Sequence, residues 1–433
     1  MRKFLIITYY WPPSGGAGVQ RWLKFIKYLR QFGWEPIVYT PENGEIPVTD
    51  KSLEKDIPEN LTVLKQPIWE PYSVYKKLVG QKKEEKINTG FLTEKNKPRL
   101  VEKISVWIRG NFFIPDARKF WIKPSVKFLT NYLQKNQIDI IISSGPPHSM
   151  HLIAAELKKA MNIKWIADFR DPWTDIDFYE DLMLTKWADK KHHELEKMVL
   201  LNADRVICIG ETMKNELAQK VENGLNKFEV ISNGYDEDDL STGVIEMDKK
   251  FSIAHIGTMV KSRNPQILWR TLSQLTKEDE NFANTLEIKL VGKIDITITK
   301  SIEQYNLQKF LKKTEYLSHA EIIKVQQQSQ VLLLLINDTK NAKGILTGKF
   351  FEYLSAKRPI LAIGPENGDA AKILSETGSG VISEFNNEGV LKKNILHYYE
   401  LFKIGNLKIE SKETHQYSRR ELTKKLSNIL SSL

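Results

Sequence analysis

"FSIAHIGTMVKSRNPQILWRTLSQL", residues 251–275, reads as an apolar strand, a glycine turn and an amphipathic helix. The chain opens with the same device. "KFLIITYY" (3–10) is strand-like, "WPPSGGAG" (11–18) is a turn rich in glycine, and "GVQRWLKFIKYLRQFG" (18–33) places Val19, Trp22, Leu23, Ile26 and Leu29 at helical spacing before the helix stop Gly33. A strand–turn–helix array that begins, runs on and then begins again predicts two doubly wound parallel sheets, an α/β fold of two Rossmann-like domains.

The segments between agree. "IDIIISSGPP" (138–147), "IKWIADFRDPW" (163–173), "DRVICIG" (204–210) and "KFEVISNGY" (227–235) alternate with helical stretches in the first half. "LEIKLVGKI" (286–294), "VLLLLIND" (331–338) and "RPILAIG" (358–364) do so in the second. The acidic, apolar-poor "GYDEDDLSTG" (234–243) marks the boundary, giving domains over 1–238 and 239–408 and a final helical segment, 409–433, expected to pack back on the first domain. Residues 50–120 have no clear pattern, and "KKLVGQKKEEKINTG" (76–90) reads as the loop most open to motion. Ligands of such sheets bind outside the carboxyl ends of the strands, so the expected site is a cleft between the two domains.

Composition narrows the function classes. The 433 residues are 41% hydrophobic and 27% charged, a globular balance. No apolar run nears the roughly 18 residues of a membrane span, and the start lacks a signal-peptide pattern, so the expected location is the cytoplasm, or the inner membrane face as a peripheral protein. The single cysteine, Cys208, excludes an internal disulfide framework and any thiolate metal cluster, and lies in an apolar strand as a core thiol. Residues 76–135 hold fifteen basic and five acidic residues, a net charge of +10 that equals that of the whole chain. With Trp107, Phe112, Phe113, Phe120 and Trp121 interleaved, this segment is a candidate surface for an anionic membrane. A nucleic-acid-binding reading of the same charge leaves the glycine turns unexplained, and no nucleic-acid partner is expected.

Three places carry chemistry. Gly15, Gly16, Gly18 and Arg21 suit close backbone approach to a phosphate or sugar; the fingerprint GxGxxG is incomplete, because Arg21 stands where its third glycine belongs. Around Gly344, Ile345, Leu346, Thr347 and Gly348, backbone N–H groups at a helix start would meet an anion, with Thr347 as N-cap, Lys349 adding charge and Glu352 placed to accept hydrogen bonds from sugar hydroxyls. His148, Asp168, Arg170 and Asp171, at two strand ends, are candidate catalytic residues near an acceptor. His192 and His193 look like a solvated helix face, and no cluster has metal-ligand spacing.

"GKFFEYLSAKRPILA" (348–362) resembles the nucleotide-binding helix of GT-B glycosyltransferases, above all the retaining family four. "WPPSGGAGVQR" (11–21), "RVICIGETMKNEL" (205–217), "VISNGYDEDD" (230–239), "HIGTMVKSRNPQILWRTL" (255–272) and "EYLSHAEIIKVQQQSQVLLLL" (315–335) resemble its other segments, in order. The resemblance implies a GT-B fold and a retaining hexosyltransferase that needs no metal or other cofactor. Its donor is a nucleotide sugar, and its acceptor is a lipid-linked glycan or polysaccharide in cell-surface synthesis. It implies that Glu352 holds the donor ribose, that Gly257, Thr258 and Arg263 lie at the diphosphate, and that Leu317 to His319 read the base. Two positions depart from the pattern. Gly344 stands for the first glutamate of E-x7-E, and Thr258 for one of a basic pair, leaving Lys349 or Lys261 to take its place. A nucleotide-sugar epimerase or a non-catalytic nucleotide-sugar binder on the same fold remain alternatives.

Overall fold

The computed structural model describes residues 1–46, 48–71, 100–221, 224–240, 243, 245–315 and 317–433. The predicted loop 76–90, and the part of the basic segment up to residue 99, lie outside the described residues.

In chain order the first half holds β1 (Arg2–Ile7), α1 (Ala17–Leu29), β2 (Trp34–Pro41), β3 (Thr62–Gln66), α2 (Leu100–Phe112), α3 (Lys119–Lys135), β4 (Ile140–Gly145), α4 (Ser149–Met161), β5 (Lys164–Phe169), α5 (Lys186–Asn202), β6 (Arg205–Cys208), α6 (Glu211–Gln219) and β7 (Phe228–Val230). The second holds β8 (Phe251–Ile256), α7 (Gln266–Glu278), α8 (Glu280–Thr285), β9 (Leu286–Val291), α9 (Ile296–Gln304), β10 (Leu311–Thr314), α10 (His319–Gln328), β11 (Val331–Leu335), α11 (Gly348–Ser355), β12 (Ile360–Ile363), α12 (Asp369–Thr377), β13 (Gly380–Ser383) and α13 (Glu388–Lys403); α14 (Arg419–Ser431) closes the chain.

Two separate parallel sheets result, ordered β3-β2-β1-β4-β5-β6-β7 and β10-β9-β8-β11-β12-β13. Each is doubly wound, as expected. Burial explains the central strands: β4, β8 and β11 are buried along their whole length, which is why they read as continuous apolar runs rather than alternating ones. The order reverses between β1 and β4 in the first sheet and between β8 and β11 in the second. Loops leaving the carboxyl ends of those four strands are the natural ligand-binding places.

The chain divides into Met1–Ser232 with Arg419–Leu433, and Asn233–Ser418. The first division falls at 232/233 rather than 238/239, because the acidic stretch belongs to the second unit: the N–H of Tyr235 donates to the carbonyl of Tyr417 at 3.2 Å. The segment that rejoins the first unit starts at Arg419 rather than 409. It packs Leu422, Leu426, Ile429 and Leu430 of α14 into the core formed with Trp22, Phe25, Ile26 and Phe4. The second core is built on Trp269, Leu272, Phe282, Leu333, Leu361 and Tyr399. Cys208 is free and buried, and burial pushes its thiol pKa up, so it is a core residue.

Candidate functional site

The reversal point of the second sheet gathers most of the chemistry. His255 closes β8 and is fully enclosed. Its Nδ1 lies 3.1 Å from the carbonyl oxygen of Leu333 on β11. A carbonyl can only accept, so Nδ1 carries the proton and Nε2 presents a lone pair. That lone pair faces the Lys349 ammonium at 3.4 Å. Gly257 follows at φ +115°, and a Cβ there would lie 2.7 Å from Lys349 Nζ. The glycine is needed both for the backbone turn and for the room the lysine occupies. Burial and the neighbouring Arg263 guanidinium pull the Lys349 pKa down to about 7, against a smaller opposing pull from Glu352. Arg263 is oriented by Asn337 just after β11, whose Oδ1 accepts from its Nε.

Two cations crowded at a strand switch point form a place that favours an anion. Glu352 lies one turn into α11, and Gln326 on α10 donates to one of its oxygens at 3.2 Å. Gln326 is itself buried. Tyr353 anchors this helix to the sheet, accepting from the backbone N–H of Ile256 at 3.0 Å. Thr258 stands half-buried beside Gly257 and brings no charge.

Several expected contacts are used elsewhere. Thr347 takes the N-cap position of α11, but its side chain makes no capping bond. The N–H groups of Gly344 and Ile345 donate to Asn341 and Ala342 at 3.0 and 3.2 Å, closing a short 3-10 turn rather than pointing at a ligand. The carbonyl of Leu346 accepts from Asn233 at 3.5 Å. Ser318 caps α10 in a capping box with Glu321, beside half-buried Leu317. His319 lies 3.5 Å from the Asp239 carboxylate. Lys261 is exposed, so of the two candidate replacements for Thr258 it is Lys349 that stands beside Arg263.

In the first unit the glycine turn serves the protein more than a ligand. A Cβ on Gly15 would strike Asp50 at 2.8 Å, and one on Gly18 would strike the Arg170 guanidinium at 2.7 Å. Only Gly16, at φ +94° and with open space beside it, faces outward at the start of α1. Arg21, expected at a phosphate, is instead a core residue. Its Nη2 meets Asp168 Oδ1 at 2.9 Å, and its Nη1 and Nη2 donate to the carbonyls of Ser232 and Ile231 at 3.0 and 2.9 Å. Trp22 Nε1 and Ser144 Oγ also donate to Asp168, at 2.7 and 2.8 Å. Burial alone would raise the Asp168 pKa, but Arg21 and these donors hold it below the ordinary carboxylate value. With its oxygens taken up by four donors and no solvent exposure, Asp168 ties α1 to β4 and β5 and is not placed to take a proton from a substrate.

The next two residues differ. Arg170 is half-buried, with Tyr10 5.8 Å from its guanidinium, and donates to the carbonyl of Pro146. Asp171 is half-buried, and desolvation raises its pKa against the pull of Arg170. His148 follows β4 and stacks on Trp173 at 4.4 Å, the planes 4° apart. Burial drives its pKa well down, so it is a neutral imidazole. Trp173 Nε1 donates to His192 Nδ1 at 3.1 Å, and Glu196 accepts from Thr174 Oγ1 at 2.6 Å. His192 is therefore buried on the inner face of α5, which corrects the expectation of a solvated pair; only His193 is exposed. These α5 residues hold the loop after β5 on which Arg170 and Asp171 sit.

The profile of Glycosyltransferase Family 4 matches residues 15–239, just over half of the chain. The chain belongs to glycosyltransferase family 4. This glycosyltransferase is 24% identical over 288 residues to an uncharacterized glycosyltransferase of Methanocaldococcus jannaschii, covering 65% of its own length and 73% of that relative. Its fold is similar to a glycosyltransferase from Rickettsia africae (TM-score 0.64, 14% identity, 100% of this chain and 98% of that one). It is also similar to Anabaena HepE, solved with UDP (TM-score 0.63, 12% identity, 100% of both chains). The two sheets are thus those of a GT-B glycosyltransferase.

Sequence reasoning missed His255, Gln326, Asn337 and Trp173. A histidine inside the apolar strand "FSIAHI" was a readable signal, since a buried polar group needs a partner. Gln326 in "VQQQSQ" could not be told from its neighbours. Among the described residues no three His, Cys, Asp or Glu side chains converge to hold a metal ion, and no helix is long and apolar enough to cross a membrane.

Proposed function

We propose that this glycosyltransferase moves a hexose from a nucleotide sugar to a lipid-linked or polysaccharide acceptor in cell-surface glycan synthesis, with retention of configuration and without a metal ion. The observation that carries the donor assignment is the convergence of Lys349 and Arg263 at the switch point of the second sheet, with Glu352 one helical turn on. As the bond from the sugar C1 to the diphosphate oxygen breaks, its electron pair stays on that oxygen. The two cations stabilise the charge that develops, the part a divalent ion would otherwise play. Glu352, steadied by Gln326, accepts hydrogen bonds from the ribose diol. The acceptor oxygen forms the new bond to C1 on the face from which the diphosphate leaves, and its proton passes to the departing diphosphate oxygen, so the configuration is kept. Arg170, Asp171 and neutral His148, after two strand ends of the first unit, are the groups that unit offers to an acceptor hydroxyl. UDP is the first base to test, because the Anabaena neighbour was solved with UDP and with UDP-glucose.

Thermal unfolding with UDP, GDP, ADP, CMP or dTDP, with and without EDTA, tests this reading. A ligand at 100 times its Kd should stabilise the protein by about 2.7 kcal/mol. The expected result is stabilisation by one nucleoside diphosphate, unchanged by EDTA. Stabilisation lost to EDTA would overturn metal independence, and none with any nucleotide would overturn the donor site. Glu352→Ala should weaken binding of the same nucleotide about ten- to a hundredfold by removing a charged acceptor worth about 1.5–3 kcal/mol. It should leave the affinity for inorganic diphosphate unchanged, and equal loss of both would place Glu352 elsewhere. Product formed only when an acceptor is added separates transfer from epimerisation.

A further inference from the structure

A surface helix normally turns its apolar stripe inward. Helix α2 leaves its large apolar side chains exposed. Ile104, Trp107, Ile108 and Phe112 fall on one face, at i, i+3, i+4 and i+8, and are 38–60% exposed, and among them only Asn111, at i+7 on the same face, is buried, at 5% exposure. The contacts of α2 near its end are made by a polar and a small residue. Asn111 Oδ1 accepts from the N–H of Thr185 at 2.7 Å, and its Nδ2 donates to the carbonyl of Met183 at 3.2 Å. A Cβ on Gly110 would lie 2.8 Å from the carbonyl oxygen of Leu182. Gly110 and Asn111, the small and polar residues near the end of α2, fasten it to segment 182–185, and the large apolar side chains around them stay exposed. Phe120 at the start of α3 and Trp69 extend the surface; they are exposed and meet edge to face at 4.9 Å.

Charge selects the partner. Lys119, Lys123 and Lys127 recur every fourth residue along α3, on the face that carries Phe120, and Lys123 and Lys127 are exposed. Residues 100–135 hold seven basic and two acidic residues. One of the two acids, Asp116, is turned away to the start of α4, where it accepts from Ser149 N and Oγ at 2.9 and 2.8 Å. Of the five aromatic residues expected at this surface, Trp107, Phe112 and Phe120 are exposed and the other two are not. Trp121 is in the core, stacked on Tyr39 at 4.8 Å, and Phe113 is half-buried.

We propose that the outward apolar face of α2, with Trp69, Phe120 and the lysine row of α3, docks on an anionic lipid bilayer. The aromatic and aliphatic side chains enter the interface, and the lysines meet lipid phosphates. A helix of 13 residues is about 20 Å long, enough for its whole stripe to lie flat in that interface. This inference stands apart from the donor chemistry, so its failure would leave nucleotide binding intact.

Co-sedimentation of the full chain with vesicles tests it. The protein should bind vesicles with a third phosphatidylglycerol at least tenfold more tightly than pure phosphatidylcholine, and raising the salt from about 50 to about 300 mM should weaken the binding. Trp107→Ser with Phe112→Ser should abolish it, and Lys123→Glu with Lys127→Glu should reduce it at least tenfold. Ile296→Ser with Ile404→Ser, at exposed apolar positions of the other unit, should leave it unchanged. Retained stabilisation by nucleotide would show that each variant is folded. No binding by the parent chain, or equal binding by the Trp107/Phe112 variant, would overturn the proposal. So would a dimer that this variant dissociates, seen without vesicle binding, because the face would then serve a second copy.

Discussion

Lys349→Met should weaken nucleoside diphosphate binding by ten- to a hundredfold, the loss of a charged hydrogen bond worth about 1.5–3 kcal/mol. The pH dependence of the parent protein should be steeper than its ligand's own ionisation explains. The Lys349 pKa near 7 means that this amine is half-protonated at neutral pH in the free protein, beside a charged Arg263. A bound diphosphate needs the ammonium form, so binding is strongest below pH 7 and should weaken by up to tenfold per unit above it. The ligand's phosphate, with a second pKa near 6, is already ionised in that range and adds little. Lys349→Arg should flatten the profile, because a guanidinium keeps its charge. Isothermal titration from pH 6.5 to 9 reads both effects. A flat profile in the parent would show that Lys349 is fully charged in the free protein and that the crowding by Arg263 and burial has no consequence. The same shift acts oppositely on the unliganded fold. Between about pH 7 and the ordinary lysine value the unfolded chain holds the proton that the folded one has released, so stability rises with pH across that window.

Asp168→Ala should destabilise the protein by about 3–5 kcal/mol, since it leaves the Arg21 guanidinium buried and Trp22 Nε1 without its acceptor. That corresponds to roughly a 10 °C fall in melting temperature for a unit of this size. Asp168→Asn should keep the shape but lose the charge pairing, with a smaller cost. Replacing Arg21 and Asp168 together by leucine and methionine should cost less than Asp168→Ala, because no charge is then stranded. Urea unfolding of the three variants measures this. Loss of transfer in Asp168→Asn with unchanged stability would return Asp168 to the catalytic residues. The contribution of the pair is also pH-linked. The folded carboxyl titrates below its ordinary value, so its stabilisation is whole above about pH 4 and is lost as the pH falls further.

Some of this was legible in the order of residues. Continuous apolar runs such as 140–142 and 331–335 specify strands buried on both sides, and glycine turns followed by 3.6-residue periodicity specify the helices that wind about them. These local signals, repeated twice, determine two parallel sheets, and place Asp171 just after a strand, Arg263 in the turn after β8 and Lys349 at a helix start. Short edge strands escaped the reading. β3 and β10 are partly exposed, with lysines among their residues, because an edge strand has no second neighbour and needs no continuous apolar run. Helix α3 begins ahead of Pro124, and packing of Trp121 on Tyr39 holds the turns before the proline.

Partner choice was decided by tertiary structure. Arg21 and Lys349 look alike in sequence, each a cation near a glycine and a helix start. The sheet order brings Asp168 and the carbonyls of 231 and 232 to Arg21, and it becomes a core ion pair. The same kind of order brings His255 and a second cation to Lys349, which leaves the lysine with charge to offer. Periodicity encodes which face of a segment is buried, whereas the groups that meet across strands distant in the chain depend on how the sheet is wound. That is why the sequence by itself determined the fold and the neighbourhood of the candidate site, and only the tertiary structure separated cations left to meet an anion from cations that hold the core.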